Sequence, residues 1–304
     1  MTNIKEYAKL GLVHHLLYPK CTVDRDYHVQ TLESFVSRKD IEALDCCIPY
    51  GEEYRSSGII QAVKNSGKDV GYALHLFPAR KISLSTLDIQ ECEMTKLVLR
   101  DQIDMAAQVG ATGFVFVSGA DVPDNRCAAR KAFKEFCRWF CNELRPYNID
   151  ALLEPFDRTI DKKYLYGPID DCVQLMEELY AEGITNIGIE LDMAHLPLMY
   201  EPFESSIIRC APYLKRVHLG NCVLKDTSHP LYGDMHPPMG VEGGEIDVPE
   251  LTRILQTLLD VGYLNKTNRK PLIMEMQPFE GKDAEFTVQE TYRRLNEAWE
   301  QVKF

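Results

Sequence analysis

Basic residues are in the minority in this sequence, with 34 Lys and Arg against 46 Asp and Glu and a net charge of −12. That balance argues against a nucleic-acid or anionic-membrane surface, which needs a basic face. No run approaches the roughly 18 apolar residues of a membrane span. The first residues, Met1-Thr-Asn-Ile-Lys-Glu6, lack the basic-then-apolar pattern of a leader. A C-x-x-C pair is also missing. Ten cysteines are scattered through ordinary apolar runs, with Cys46 and Cys47 adjacent and Cys137 and Cys141 one helical turn apart. They read as reduced core thiols of a cytoplasmic protein. No Ser/Gly-rich linker or shift in composition divides the 304 residues. With 45% hydrophobic residues, the chain can bury a large core as a single domain over 1–304.

What is present is an alternation repeated eight times. Apolar, β-rich runs near 10–17, 42–48, 70–76, 112–118, 149–154, 186–192, 214–219 and 271–277 predict strands. Helical patterns follow each of them, near 26–38, 52–66, 85–109, 124–146, 168–182, 200–211, 247–262 and 284–302. Glycines at 67, 110, 183 and 262 stand where helices need a left-handed cap. Eight β-then-α units in a chain of this size fit an α/β fold of the (β/α)8 TIM-barrel type. A doubly wound open sheet would want a glycine-rich first turn, and Tyr18-Pro-Lys-Cys21 offers none.

Four of the strand-like runs end in a potential metal ligand: Glu154, Asp192, His218 and Glu275. Parallel α/β folds put their chemistry at the C-terminal ends of strands, so alternation brings the four together at the barrel mouth. Carboxylates with one imidazole form a hard O/N donor set that suits one divalent cation. Mn²⁺ is the expected ion, and Mg²⁺, Co²⁺ or Fe²⁺ would also suit. One layer below, Glu190 and Arg216 share these faces on neighbouring strands, which predicts a buried ion pair supporting the metal layer.

These marks resemble the xylose-isomerase-like barrel superfamily of ketose 3-epimerases, inosose dehydratases and endonuclease IV. The resemblance rests on Glu154, the Asp192-Met-Ala-His195 motif, the Val217-His-Leu-Gly-Asn221 run and Glu275. Gly243-Gly-Glu-Ile-Asp247 adds to it, being similar to the turn before the seventh helix. It implies a sugar enzyme in which Glu154, Asp192, His218 and Glu275 hold the cation. Glu154 and Glu275 would also be the catalytic proton carriers. The chemistry is coherent: a cation chelated by a carbonyl oxygen and its neighbouring hydroxyl stabilises the enediolate left when the adjacent C–H proton departs. Carboxylates on opposite walls can move protons on opposite sugar faces.

The connection between His218 and the seventh helix, a loop at about 220–246, is unusually long, and long loops at a barrel mouth are rarely idle. It carries Asp226, His229, Asp234 and His236, and no arginine over 221–240. Ketose epimerases have an arginine in this region, so its absence weighs against a plain free-ketose epimerase. His236 is expected to be a further catalytic proton carrier, and His195, His75, Asn221 and Asp234 to bind substrate. Only one of His14 and His15, at the end of the first strand, can face inward. The wording of the loop resembles the larger subunit of bacterial C-glycoside deglycosidases. That implies a lyase cleaving 3-keto C-glycosides, an oligomer and a small β-rich partner chain over the mouth. A ketose 3-epimerase or isomerase is the alternative, because both share the first deprotonation. Asp234-Met-His236 also resembles the D-x-H pair that holds an additional zinc in endonuclease IV, a reading in which His195 is a ligand. Against it stand the acidic chain and a fourth strand that ends in Ser118-Gly119, without a histidine. A non-catalytic metal-binding scaffold is the remaining reading, and it requires a mouth with no room for a sugar.

Overall fold

The computed structural model of the protein describes residues 2–49, 51–73 and 83–304. Eight parallel strands close into one barrel in chain order. They are β1 (Lys9–Val13), β2 (Ala43–Cys46), β3 (Asp69–Ala73), β4 (Gly113–Phe116), β5 (Asp150–Leu153), β6 (Ile187–Asp192), β7 (Leu214–Leu219) and β8 (Pro271–Met274). β8 pairs with β1 from Lys9 opposite Pro271 to Leu12 opposite Met274, which completes the ring. Short residues let the strands approach. A side chain on Gly11 would strike Ile273 and the Ala43 carbonyl, and one on Gly71 would strike the Asp45 carboxylate.

Around the barrel run α1 (His14–Leu17), α2 (Arg25–Ser37), α3 (Glu52–Ser56), α4 (Ile59–Asn65), α5 (Ile89–Val109) and α6 (Arg126–Leu144). They continue with α7 (Ile169–Ala181), α8 (His195–Leu198), α9 (Phe203–Cys210), α10 (Val248–Asp260) and α11 (Ala284–Trp299). Side-chain caps fix several starts: Asp88 accepts from Gln90 and Glu91 N–H at α5, and Asp247 with Glu250 forms a capping box at α10. Apolar stripes face the strands. Phe133, Phe136 and Phe140 of α6, for example, pack on Phe114 and Phe116 of β4. All ten cysteines are free thiols, and no helix among the described residues is long and apolar enough to cross a membrane.

The structure moves several expected boundaries. The first strand stops at Val13, and His14 and His15 open a helical turn, so they diverge by about 100° rather than 180°. The expected helix over 52–66 is two helices, because Gly58 takes a left-handed φ of 82° between α3 and α4. The expected helix over 200–211 starts only at Phe203, and an extra turn, α8, follows β6 directly. The expected Glu190–Arg216 ion pair does not form. The two residues are opposite in register, yet Arg216 reaches across the barrel. Its Nε lies 3.0 Å from both Asp45 oxygens and its Nη1 3.2 Å from Asp69. A guanidinium long enough to span the barrel finds two carboxylates there instead of one beside it.

Candidate metal and substrate site

The site grows from the strand ends. Glu154 follows β5 and its N–H donates to the Phe116 carbonyl at 3.0 Å; Glu275 follows β8 and donates to the Leu219 carbonyl at 3.2 Å. Asp192 closes β6, with His218 opposite it on β7. Glu154, Asp192 and Glu275 each offer an oxygen within 4.8 Å of the others. His218 joins through Nδ1, 2.5 Å from Glu275 Oε2 and 3.4 Å from Glu190 Oε1. Asp192 Oδ1 accepts from the N–H of Gly220 at 2.9 Å and of Ala194 at 3.1 Å. A Cβ at Gly220 would lie 2.5 Å from that oxygen, so glycine is required there. Asp192 Oδ2 and both Glu190 oxygens are buried without hydrogen-bond partners. Buried acceptors of this kind are costly unless a proton or a cation meets them. Three converging carboxylates and an imidazole therefore fit a hard divalent cation.

Beneath this layer lies a relay that the sequence did not reveal. His218 Nε2 donates to Asp45 Oδ2 at 2.9 Å, and Asp45 is held in turn by Arg216. All three are buried. With Nε2 committed to a carboxylate, Nδ1 is the nitrogen that would meet a cation once it gives up the hydrogen bond to Glu275, an arrangement typical of metal-bound histidines. Burial would raise Asp45, but Arg216 and His218 outweigh it and hold the acid at about 2.

The 220–246 loop builds the other side. His195 Nδ1 donates to the Pro155 carbonyl at 2.9 Å, which turns Nε2 towards Asp192 at 3.3 Å and Asp234 at 3.2 Å. His236 Nε2 lies 2.9 Å from Asp234, and its Nδ1 lies 3.6 Å from Asp192. His236 has a φ of 47°, a strained conformation for a residue with a side chain. It is fixed by Gln277 N–H donating to the His236 carbonyl at 2.8 Å. Asn221, expected at the substrate, is instead spent inside the loop. Its Oδ1 accepts from Cys222 and Ile246 N–H at 2.9 Å, and its Nδ2 donates to the Pro238 carbonyl at 3.3 Å. Four donors from Asp192, His195, Asp234 and His236 lie within 4.8 Å of one another, a second set able to hold a cation.

The cavity at this mouth measures about 160 Å³, with Glu154, Glu275, His218, His15, Lys162 and Tyr164 in its lining. That is the space of roughly five water molecules, enough for a small polar ligand. Lys162, in the loop after β5, reaches Asp234 Oδ2 at 3.0 Å. Neither Lys162 nor Tyr164 stood out in the sequence, since both lie in an irregular polar stretch. Of the adjacent histidines, His15 faces the cavity, while His14 is buried outside the barrel against Phe35 and His28. His75 lies outside the described residues.

Burial and charge separate the two candidate proton carriers. Burial drives Glu154 up to about 8 against the pull of His195, with Glu275 adding to the rise. Glu275 is also buried, but His218 and His236 outweigh that and hold it at about 2. His236 is lifted to about 9, because Asp234 and Glu275 overcome the burial that would lower it. Burial pushes Glu190 well above the usual carboxylate value, with Glu154 and Glu275 adding to the rise against the pull of His218. Carboxylates in one cavity whose proton affinities diverge are the usual mark of an acid and a base.

The barrel is similar to several solved structures. It matches a D-tagatose 3-epimerase-like protein with a TM-score of 0.71 at 15% identity, over 97% of this chain and 100% of that one. It matches an AP endonuclease, family 2, from Brucella melitensis at 0.67 and 15%, over 94% and 98%. It also matches a 3-keto-D-glucoside 4-epimerase from E. coli at 0.66 and 11%, over 95% and 99%. No curated protein sequence matches the chain significantly. A family model described as the xylose isomerase-like TIM barrel matches residues 42–298, and the chain belongs to that family.

Proposed function

We propose that this chain is a divalent-cation-dependent sugar enzyme that deprotonates the carbon next to a carbonyl, with a 3-keto glycoside as substrate and loss of the aglycone as outcome. The observation that carries the reading is the convergence of Glu154, Asp192 and Glu275, whose oxygens lie within 4.8 Å of one another, with His218 Nδ1 against Glu275. Glu154, Asp192, His218 and Glu275 would hold the cation. When bound, it supplies Lewis-acid stabilisation of the negative charge that develops on a carbonyl oxygen. Glu275, ionised at neutral pH, takes the proton from C2 of the sugar. Electrons from that C–H bond form the C1–C2 double bond, and the bond from C1 to the aglycone breaks. His236, charged at neutral pH, returns a proton to the departing group, which leaves as the free aglycone beside an unsaturated keto sugar. Asp234, His195 and Lys162 orient the sugar hydroxyls, and water is kept out by Phe156 and Tyr164, which also line the cavity. The arginine missing from the loop and the strained His236 favour elimination over epimerisation. A small β-rich partner chain over the mouth would complete the enclosure. That a similarly folded barrel is a 3-keto-D-glucoside 4-epimerase fits a keto-sugar substrate. The test is incubation in deuterium oxide with 3-keto C- and O-glucosides and with free ketoses, with Mn²⁺ and after chelation. Release of aglycone supports the lyase. Substrate-sized sugar labelled at the deprotonated carbon, with no aglycone, would replace it with the epimerase.

One observation favours a second reading, a metal phosphodiesterase of endonuclease IV type. Asp192, His195, Asp234 and His236 form a second buried donor set beside the first. Two cations per chain and cleavage of bis(p-nitrophenyl) phosphate would support it, whereas one cation and an inert ester would dismiss it. The net charge of −12 speaks against a nucleic-acid substrate.

A further inference from the structure

Outside the mouth, three donors converge in a different chemical setting. His14 opens α1, Cys21 sits in the turn Pro19–Thr22, and His28 lies on α2. All three are buried, at 0% exposure. One donor atom from each lies within 4.8 Å of the other two. Hydrogen bonds around the group decide where the imidazole lone pairs are. The single hydroxyl proton of Thr31 goes to the Tyr27 carbonyl at 2.7 Å. Its oxygen must therefore accept at 2.9 Å from His14 Nε2. The lone pair of His14 is then on Nδ1, which is buried and has no hydrogen-bond partner. His28 Nδ1 is 3.2 Å from the Cys21 carbonyl, which can only accept, so this nitrogen carries the proton. In its neutral form His28 then offers Nε2. Both rings are thus fixed by a hydrogen bond on the far nitrogen, as the imidazoles of metal sites are. Burial, with His28 and His15 adding to it, keeps His14 far below the usual histidine range, so the ring is neutral.

We propose that His14, Cys21 and His28 form a site for a soft d¹⁰ cation, Cu⁺ or Zn²⁺, separate from the mouth. Two imidazoles and a thiol with no carboxylate form a donor set that selects soft and borderline ions over Mg²⁺ or Mn²⁺. Binding breaks the Cys21 S–H bond, sends the proton to solvent and leaves a thiolate on the ion. One thiolate cancels the charge of Cu⁺. Zn²⁺ would remain a buried net cation, which is costly, unless the neighbouring Cys47 thiol also gave up its proton; it is close enough for a Cys21 thiolate to raise it further after burial. The site would tie α1 to α2 and so steady the turn that brings His15 into the cavity.

Co²⁺ substitution tests this independently of activity, because no thiol is among the described residues that line the mouth cavity. Chelator-treated protein titrated with Co²⁺ should develop a thiolate-to-cobalt charge-transfer band that is lost in Cys21→Ser and kept in Asp192→Ala. X-ray absorption on the wild-type protein loaded with Zn²⁺ needs no variant, and should show sulfur at about 2.3 Å. Affinity for Cu⁺ and Zn²⁺, measured by competition with chromophoric chelators, should fall more than tenfold in Cys21→Ser and in His28→Gln. No charge-transfer band at saturating Co²⁺, no sulfur scatterer, or equal Cu⁺ and Zn²⁺ affinity in wild type and Cys21→Ser would overturn the proposal. Loss of Zn²⁺ but not Cu⁺ in Cys47→Ser would support it, with Cys47 as the additional ligand for the divalent ion.

Discussion

His218 and His236 both present an imidazole to the carboxylates of the mouth, but one is held from beneath by strands and the other from above by a loop. On the strand side, His218 rests on Asp45, Asp45 on Arg216, and Arg216 also on Asp69, all within the closed ladder of the barrel. On the loop side, His236 and His195 share Asp234, and the backbone at His236 is strained to aim the ring. The strand side is a set of paired charges that must be complete to exist at all. The loop side stores strain, which folds tolerate where position matters more than stability. Asp192 belongs to both, and breaking each side in turn should separate structure from chemistry.

The largest effect is expected at that shared residue. Asp192→Ala should lose one equivalent of cation and bring activity below detection while the barrel stays folded, as read by metal analysis, rate and circular dichroism. His218→Ala should behave alike; a fully loaded, active His218→Ala protein would end the ligand assignment. On the strand side, Arg216→Met takes the guanidinium from buried Asp45 and leaves it only His218, and losing one member of a buried pair costs about 3–5 kcal/mol. Urea unfolding should record that loss. An unchanged midpoint would mean that the relay contributes nothing to the fold. On the loop side, His236→Ala should lower kcat on the true substrate by roughly 10²–10⁴-fold, with cation content unchanged. The substitution breaks no strand pairing, so the stability it loses should be confined to the charge pairing of His236 with Asp234. Loss of cation from His236→Ala would instead favour the two-cation phosphodiesterase.

The eight-unit barrel was legible because each apolar run, such as Asp150-Ala-Leu-Leu-Glu154, announces itself by length and by the charge that ends it. The four strand-end residues could be read for the same reason. Asp45 could not. It sits within the apolar run Leu44-Asp45-Cys46-Cys47, and its partner is 171 residues away, brought near only by closure of the ring. A lone acid in a buried strand was the available signal, and Arg216 was its answer. Pairing Arg216 with Glu190 followed from adjacency in the sheet, which ignores how far a guanidinium reaches. Asn221 misled in another way. An amide beside the site looked like a substrate contact, and the loop's own backbone uses it.

The smallest effects, seen in the chelated protein, should split the two sides by pH. Asp45 is held at about 2 once Arg216 and His218 outweigh its burial. A carboxylate depressed in the folded state contributes stability above its unfolded value near 4, and that contribution fades as the pH falls towards 2. At 1.36 kcal/mol per pH unit, the acid limb amounts to about 2 kcal/mol. His236 is raised to about 9 by Asp234 and Glu275 against its burial. A raised histidine contributes stability in full below its unfolded value near 6.5, and the contribution disappears as the pH climbs through 9, a limb of about 3 kcal/mol. Chemical denaturation across pH should therefore show an acid limb that is shallower by about 2 kcal/mol in Asp45→Asn and an alkaline limb that is shallower by about 3 kcal/mol in His236→Ala. If Asp45→Asn removed the alkaline limb, or His236→Ala the acid one, the two sides would be one coupled network. The contrast between strand-held and loop-held imidazoles would then have to be abandoned.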